Sequence, residues 1–417
     1  MKELKEDWQE VRLGDVVYFN PTEKLIKGNN YKKIPMDCLI PKTRKIENYE
    51  VNTFNGGSKF RNGDTLMARI TPCLENGKTA QVSILEENEI AFGSTEFIVL
   101  REKENISDNN FIYYLFNTDY IRSTAIKSMT GTSGRQRVQE DVLKNTIIKL
   151  PPLEEQKKIA SILSSLDDKI ELNNRMNKIL EETAQTIFKE WFINFNFPNE
   201  KGKPYKKNGG NMIESELGEI PEGWEVDILS NIFDISIGKT PPRKETECFS
   251  NNDKDMKWVS ISDMGKSGLY LLDTSEYLTL DAVNKYNVII VPKDTIILSF
   301  KLTIGRVSIV SEDMTTNEAI AHIKTNNKKL NEYTYFYLKN FKYSTLGSTS
   351  SIAQAVNSKL IKSIKFILPD TNILNDFHLK TKDIFNKIKY NQIENQKLAG
   401  IRDSILPKLM SGEIRIK

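Results

Sequence analysis

At 417 residues the chain is longer than one hydrophobic core usually supports, so two domains of ordinary size are expected. With 39% hydrophobic and 28% charged residues, apolar runs no longer than those such as residues 288–291, and a charged stretch at residues 1–10, it reads as a globular cytoplasmic protein without a membrane segment. Cys38, Cys73 and Cys248 stand singly with only His322 and His378 to add imidazole, so no metal is expected, and a net charge of +3 requires any nucleic-acid surface to be local.

In chain order, the strand-like segments are residues 63–70 and 90–100, where β-branched and apolar residues follow a Gly-Asp turn or end a polar stretch. Residues 111–123 carry aromatics at helical spacing. A Gly/Ser/Thr loop comes next, Met129-Thr130-Gly131-Thr132-Ser133-Gly134-Arg135-Gln136-Arg137, and then a long helix. Residues 198–223, with Gly209-Gly210 at the centre, read as a linker. Beyond it come strands at 287–291 and 294–300, a helix over 333–343, a small polar loop ending in Gln354, and a second long helix. The globular parts are therefore expected to be α+β with a β-rich body.

The second half repeats the first. Asp7-Trp8-Gln9-Glu10-Val11 returns as Gly223-Trp224-Glu225-Val226, and residues 138–151 align with 356–369 at an offset of 218, keeping Lys144 against Lys362. The same offset continues into the helices. Ile159, Leu163, Leu166, Ile170, Leu180 and Ile187 step by threes and fours in the first, with Asn173 and Asn177 between them. Ile384, Ile388, Leu398 and Ile405 do so in the second around Asn391 and Asn395, with Thr381 and Arg402 weakening the pattern. Helices of roughly 30 to 40 residues are on the order of 50 Å long at about 1.5 Å per residue and need a partner along most of that length. The simplest partner for each is its duplicate, with the asparagines as a register-setting layer; chain reach leaves parallel and antiparallel pairing both open.

Catalytic chemistry is not visible. Gly238-Lys239-Thr240 ends like a phosphate-binding loop, but Phe233 stands where its first glycine belongs. Thr240-Pro241-Pro242-Arg243 lacks the amine acceptor and aromatic platform of an amino-group DNA methyltransferase. The acid pairs Glu154-Glu155 and Asp167-Asp168 lie on the long helix and read as solvated. Weight shifts to binding. For DNA, the candidates are Arg69, Thr71 and Lys78 beside the first strand, Arg135, Gln136 and Arg137 on the loop, and Lys301, Arg306 and Gln354 in the second copy. Loss of both loop arginines in the second copy suits two domains reading different sequences.

Leu150-Pro151-Pro152-Leu153-Glu154-Glu155-Gln156 entering the first helix, Trp191-Phe192-Ile193-Asn194-Phe195 leaving it, and Leu406-Pro407-Lys408-Leu409-Met410-Ser411-Gly412-Glu413-Ile414 near the end closely resemble the specificity subunit of Type I restriction-modification enzymes. The resemblance implies target recognition domains at 1–150 and 223–368, spacer helices at 151–197 and 369–417 packed as an antiparallel coiled coil, and a linker at 198–222. It also implies a non-catalytic subunit that reads a bipartite double-stranded DNA site. Two methyltransferase subunits and two restriction or translocase subunits would join it, bringing S-adenosylmethionine, ATP and Mg in those partners and no cofactor in this chain. The competing readings are a self-contained restriction or methylation enzyme and a coiled-coil protein adaptor. In one respect the chain departs from the family: the second helix opens Leu368-Pro369-Asp370 without the Pro-Leu-x-Glu-Gln continuation.

Overall fold

Thr65–Ala68 and Phe97–Glu102 are buried at every position but Glu102 and not at every second one, the pattern of strands covered on both faces. They are neighbours in a four-stranded sheet ordered Val17–Phe19, Phe97–Glu102, Thr65–Ala68, Thr79–Gln81. A second sheet of the first copy runs Glu50–Thr53, Asn30–Ile34, Ala91–Gly93, Ser58–Phe60. The single strand expected over residues 90–100 is thus two strands in different sheets. The chain crosses between them at Ser94, whose hydroxyl accepts from the Glu96 amide. Gly93 permits the crossing, since a Cβ there would lie 2.5 Å from the Ile34 carbonyl oxygen.

The second copy repeats this plan. One sheet runs Asp234–Ile237, Ile320–Lys324, Ile296–Ser299, Val307–Val310, Tyr270–Leu271, and the other Phe249–Ser250, Glu276–Leu278, Met256–Val259, Thr315–Thr316. Each copy closes with a two-stranded ribbon, Gln9–Arg12 with Ile147–Leu150 and Glu225–Ile228 with Lys365–Leu368, so the matching tryptophans and Leu-Pro pairs flank equivalent strands.

Three local expectations need correction. Residues 287–291 form no strand: Asn287 takes a left-handed φ of 48° after the helix Leu280–Lys285, and only Val291 pairs, with Met314. The helix expected over 111–123 is two, Asn109–Phe116 and Asp119–Lys127, because Thr118 leaves helical geometry and caps the second through the Ile121 amide. The segment read as a linker is folded. It holds a hairpin, Met212–Ser215 with Gly218–Pro221, and Phe197 stacks between Tyr205 and Trp224 at centroid distances of 4.6 and 5.3 Å.

The computed structural model describes residues 7–346 and 357–416, which divide into two compact units. The first joins the chain up to Glu171 with the part from Gln396 onward; the second is Leu172–Asn395. The long helices, Leu153–Phe188 and Thr371–Ser411, each contribute to both. In the first unit Ile159 and Leu163, near the start of one helix, share a core with Leu409 and Met410 at the end of the other. In the second unit Ala184 and Phe188 share a core with Phe377, Phe385 and Ile388. The pairing is antiparallel in each unit. Asn173 and Asn391 are fully buried with Ile159, Leu163 and Ile388; Leu166, Ile170, Asn177, Leu180, Ile187, Ile384, Asn395, Leu398 and Ile405 are half-buried.

The asparagines form a layer within the second unit. Asn173 Nδ2 donates to Asn395 Oδ1 at 2.9 Å and to Glu394 at 2.7 Å; Asn391 Nδ2 donates to Asn177 Oδ1 at 2.8 Å, and Asn395 Nδ2 to Asn174 Oδ1 at 2.8 Å. The repeat offset carries Asn173 onto Asn391 and Asn177 onto Asn395. Each asparagine therefore meets the duplicate of the other, the pattern of an interface with local two-fold symmetry.

Half of each acid pair is buried, contrary to the solvated reading. Asp167 is 3% exposed and accepts from Tyr114 Oη at 2.6 Å and Arg402 Nη1 at 2.5 Å. Glu155 accepts from Trp8 Nε1 at 3.1 Å and Arg415 Nε at 2.9 Å. Burial raises the Glu155 pKa, but these donors and the Ile416 amide outweigh it and hold the carboxyl below its usual range. Asp168 remains outside, paired with Arg44 and Lys45, and Glu154 binds Lys157 at the surface. Thr381 returns its hydroxyl to the Phe377 carbonyl, 2.8 Å away.

The repeat treats the Asp167 site in two chemical ways. Asp167 and Arg402 correspond by the offset to Phe385 and Ala184, and Tyr114 to Phe336 when Asn109 is matched with Asn331. Phe336 and Phe385 meet edge to face at 5.6 Å, with Ala184 in the same core. Arg402→Ala alone should therefore strand Asp167 and cost about 3–5 kcal/mol. Urea unfolding of the full chain should show that loss, and Tyr114→Phe with Asp167→Phe and Arg402→Ala should recover most of it.

His322, fully buried, is held at Nδ1 by Ser236 Oγ, 2.9 Å away, and at Nε2 by Thr316 Oγ1, 2.7 Å away. Burial, aided by the Lys324 charge, lowers its pKa from 6.5 to about 4. The unfolded chain then binds more protons as pH falls below 6.5, so this contribution is complete above that pH and is lost as pH drops toward 4. Melting curves between pH 7 and pH 4 should fall at up to about 1.4 kcal/mol per pH unit from this group, and His322→Asn should flatten them.

Candidate nucleic-acid interface

In the first unit, antiparallel bridges from Arg137 to Ile70 and to Thr130 close the 129–137 loop into a hairpin set against the strand end. The Thr71 amide donates to the Gln136 carbonyl at 3.0 Å, and the Val138 amide to that of Arg69 at 2.9 Å. Gly131 makes the hairpin possible: its φ is 129°, and a Cβ would press on the Arg135 carbonyl at 3.1 Å. Five of the nine predicted residues, Arg69, Thr71, Arg135, Gln136 and Arg137, thereby gather at one edge. Residues 130–135 are all exposed.

Carboxylates set the electrostatics of that edge. Arg137 forks onto Glu96, with Nε 2.9 Å from Oε2 and Nη2 2.6 Å from Oε1. That hydrogen bonding is the main cause holding the Glu96 carboxyl below its ordinary range, with Arg69 adding to it through space. Arg69 Nη1 lies 3.2 Å from Glu140, which also accepts from Asn20. Arg135 keeps an exposed guanidinium. Lys78 does not join the group: its amine is turned to the Met36 carbonyl at 3.0 Å.

In the second unit Lys301 is exposed, with its amine 5.7 Å from the centroid of the Phe300 ring. Arg306 turns inward, donating from Nη1 to the Ile261 carbonyl at 2.6 Å, and is committed to its own unit's structure. Gln354 lies outside the described residues.

Sequence reasoning passed over the carboxylates and one arginine. Arg243, set aside within Thr240-Pro241-Pro242-Arg243, forks onto Glu276 with Nη1 and Nη2 at 2.8 and 2.9 Å and lies over Phe249 and Trp258. Glu318 accepts from the Thr240 hydroxyl. Burial raises the Glu318 pKa, but that bond, its own amide and the charges of Lys301 and Arg243 carry it below the usual range. The Gly238-Lys239-Thr240 string is a loop with a packing reason for its glycine: a Cβ at Gly238 would fall 2.0 Å from Thr316 Oγ1.

These placements separate structural from surface cations. Arg306→Ala should lower the melting temperature by several degrees, since it leaves the Ile261 carbonyl without this charged donor, whereas Arg135→Ala should leave it within a degree or so.

Comparison with known proteins gives one consistent picture. The model of the Type I restriction modification DNA specificity domain matches twice, at residues 5–182 and 221–402. A Haemophilus influenzae protein named Type I restriction enzyme HindI specificity subunit is 28% identical over 98% of this chain and all of its own length. The Methanocaldococcus jannaschii MjaIX specificity subunit is 32% identical, covering 74% of this chain and 70% of that protein. The crystal structure of the Type I restriction-modification S subunit from M. genitalium shares the fold, with a TM-score of 0.53 at 15% identity over 98% of both chains.

Proposed function

The chain belongs to the family of Type I restriction-modification DNA specificity subunits, and from that premise we propose that its two recognition domains read the two halves of a bipartite double-stranded DNA target. It is a non-catalytic DNA sequence-recognition subunit. The observation that carries the bipartite reading is the duplication itself: two β-rich domains of one plan, each packed within its own unit on antiparallel helix segments, with different side chains at equivalent strand ends.

In this reading residues 1–150 and 223–368 are the readers, and the helices of 151–197 and 369–417 fix the gap between the half-sites. At the first domain's edge Arg135, Gln136 and Arg69 approach base edges and phosphates, with Thr71 and Arg137 bracing the hairpin; Lys301 and Gln354 serve the second. Two methyltransferase subunits dock on exposed helix surface, and two restriction or translocase subunits join them. S-adenosylmethionine, ATP and Mg belong to those partners, and the complex works in the cytoplasm, where its DNA lies. No helix among the described residues is long and apolar enough to cross a membrane.

Mapping methylated bases genome-wide with and without the chain tests this reading. A bipartite motif lost with the chain is expected; a motif unchanged by its removal sinks the idea. Four residues inserted into both helices at facing positions add about 6 Å, roughly two base pairs. The gap should lengthen while both half-sites stay the same. Arg135→Ala should weaken selection of one half-site and leave the other intact.

A further inference from the structure

The loop that carries Arg243 is pinned from three sides. The Gly238 amide donates to the Ile320 carbonyl at 3.0 Å, the Lys239 amide to that of Thr316 at 2.9 Å, and Trp258 Nε1 to the Lys239 carbonyl at 3.2 Å. The side-chain-free face of Gly238 lets the backbone lie against Thr316 and Asn317, and Pro241 and Pro242 stiffen the approach to Arg243. The guanidinium carbon of Arg243 sits 4.3 Å from the Phe249 ring centroid and 4.6 Å from that of Trp258. Its side chain nevertheless remains 53% exposed. A surface arginine fixed this firmly loses little freedom on binding.

The way the fork is used decides what the arginine can still do. Glu276 takes the end-on edge, Nη1 to Oε1 and Nη2 to Oε2. The Phe249 and Trp258 rings, set at 70° to each other, crowd the guanidinium carbon from within 4.6 Å. The side-on edge, Nε–H with the second Nη2 proton, has no hydrogen-bond partner among the described residues. Two parallel N–H groups in one plane match the O6 and N7 acceptors of guanine in the major groove. Arg137 in the first copy differs, because its side-on edge is spent on Glu96.

Position supports the same reading. Glu318, just before Ile320–Lys324, accepts from the hydroxyl of Thr240 on the Arg243 loop, and the charges of Arg243 and Lys301 act on its carboxyl. In the first copy Arg69 and Arg137 act on Glu96, on the turn before Phe97–Glu102. Arg243 thus lies at the edge of the second domain that corresponds to the hairpin edge of the first.

We propose that Arg243 is a guanine-reading side chain of the second recognition domain, positioned by Glu276 and by the Phe249–Trp258 shelf. The proposal rests on the bipartite reading above. It assigns the base contact to Arg243 and the positioning to Glu276, whose carboxylate holds the end-on edge and leaves the side-on edge unused.

The test uses the full chain assembled with its methyltransferase partners and duplexes in which either half-site is randomised. The wild-type complex must first select two separate half-sites; selecting none would bring down the bipartite reading itself. Arg243→Lys keeps the cation over the rings but loses the fork. It should reduce the preference for guanine at one position of the second half-site about ten- to hundredfold, with first-half selection unchanged. Glu276→Gln should weaken the preference at that same position several-fold, although it removes a negative charge and would tighten a simple phosphate contact. The proposal is overturned if Arg243→Lys leaves every position of the second half-site as selective as before, or if Arg243→Ala weakens all duplexes equally. Should Arg243→Ala fail to fold, as judged by melting, the lysine variant alone decides.

Discussion

The asparagine layer between the two long helices is the constraint on which the rest depends. An antiparallel pair of amphipathic helices could slide by a heptad with modest loss of apolar contact, because leucine and isoleucine accept one another at many registers. Buried amides do not. Asn173 and Asn391, both fully buried, reach Asn395 and Asn177 in one alignment only, and a slip would leave their donors without acceptors. Even in register the layer costs something, since the Oδ1 atoms of Asn173 and Asn391 have no hydrogen-bond partner among the described residues. That is consistent with a layer kept for alignment and not for net stability.

Polar groups elsewhere in the helices serve attachment. Gln156, fully buried, accepts from the Asp108 amide and donates to the Ile106 and Pro151 carbonyls, which ties the first helix to the cap of Asn109–Phe116. Glu155 gathers Trp8 and Arg415. The Leu-Glu-Glu-Gln string that marks the family is therefore explained largely inside its own unit. At the corresponding places the second helix carries Ile373 and Leu374, which pack into the second core. Its missing motif is an exchange of polar for apolar attachment.

Much of this was legible in the sequence because it is periodic. The duplication, both long helices and the four asparagines follow from spacing alone, and spacing survives any tertiary arrangement. The features that could not be read depend on partners far away in the chain. Asp167 and Asp168 are adjacent and chemically alike, yet about 100° of helix rotation sends one to Tyr114 and Arg402 and leaves the other outside. Arg306 and Arg243 are likewise equivalent on paper: one finds a backbone carbonyl inside, the other an aromatic shelf at the surface. The local charge of the candidate edges has the same origin. Glu96, Glu140, Glu276 and Glu318 each stand beside an arginine or lysine there, a pairing that the total charge does not reveal.

The two treatments of the Asp167 site have an evolutionary consequence. A symmetric asparagine layer is what two identical half-length chains would form if they paired with each other, and fusion of duplicated genes would preserve it. The flanking layers have since departed from that symmetry. Two first-copy halves would set Asp167 against Ala184, burying a carboxylate with no guanidinium; two second-copy halves would set Phe385 against Arg402 with no acid to receive it. Each half has become a poor partner for its own kind and a good one for the other. At this layer, a return to pairing of identical halves would first require that the lost partner, Arg402 for one half or Asp167 for the other, be restored or the charge removed.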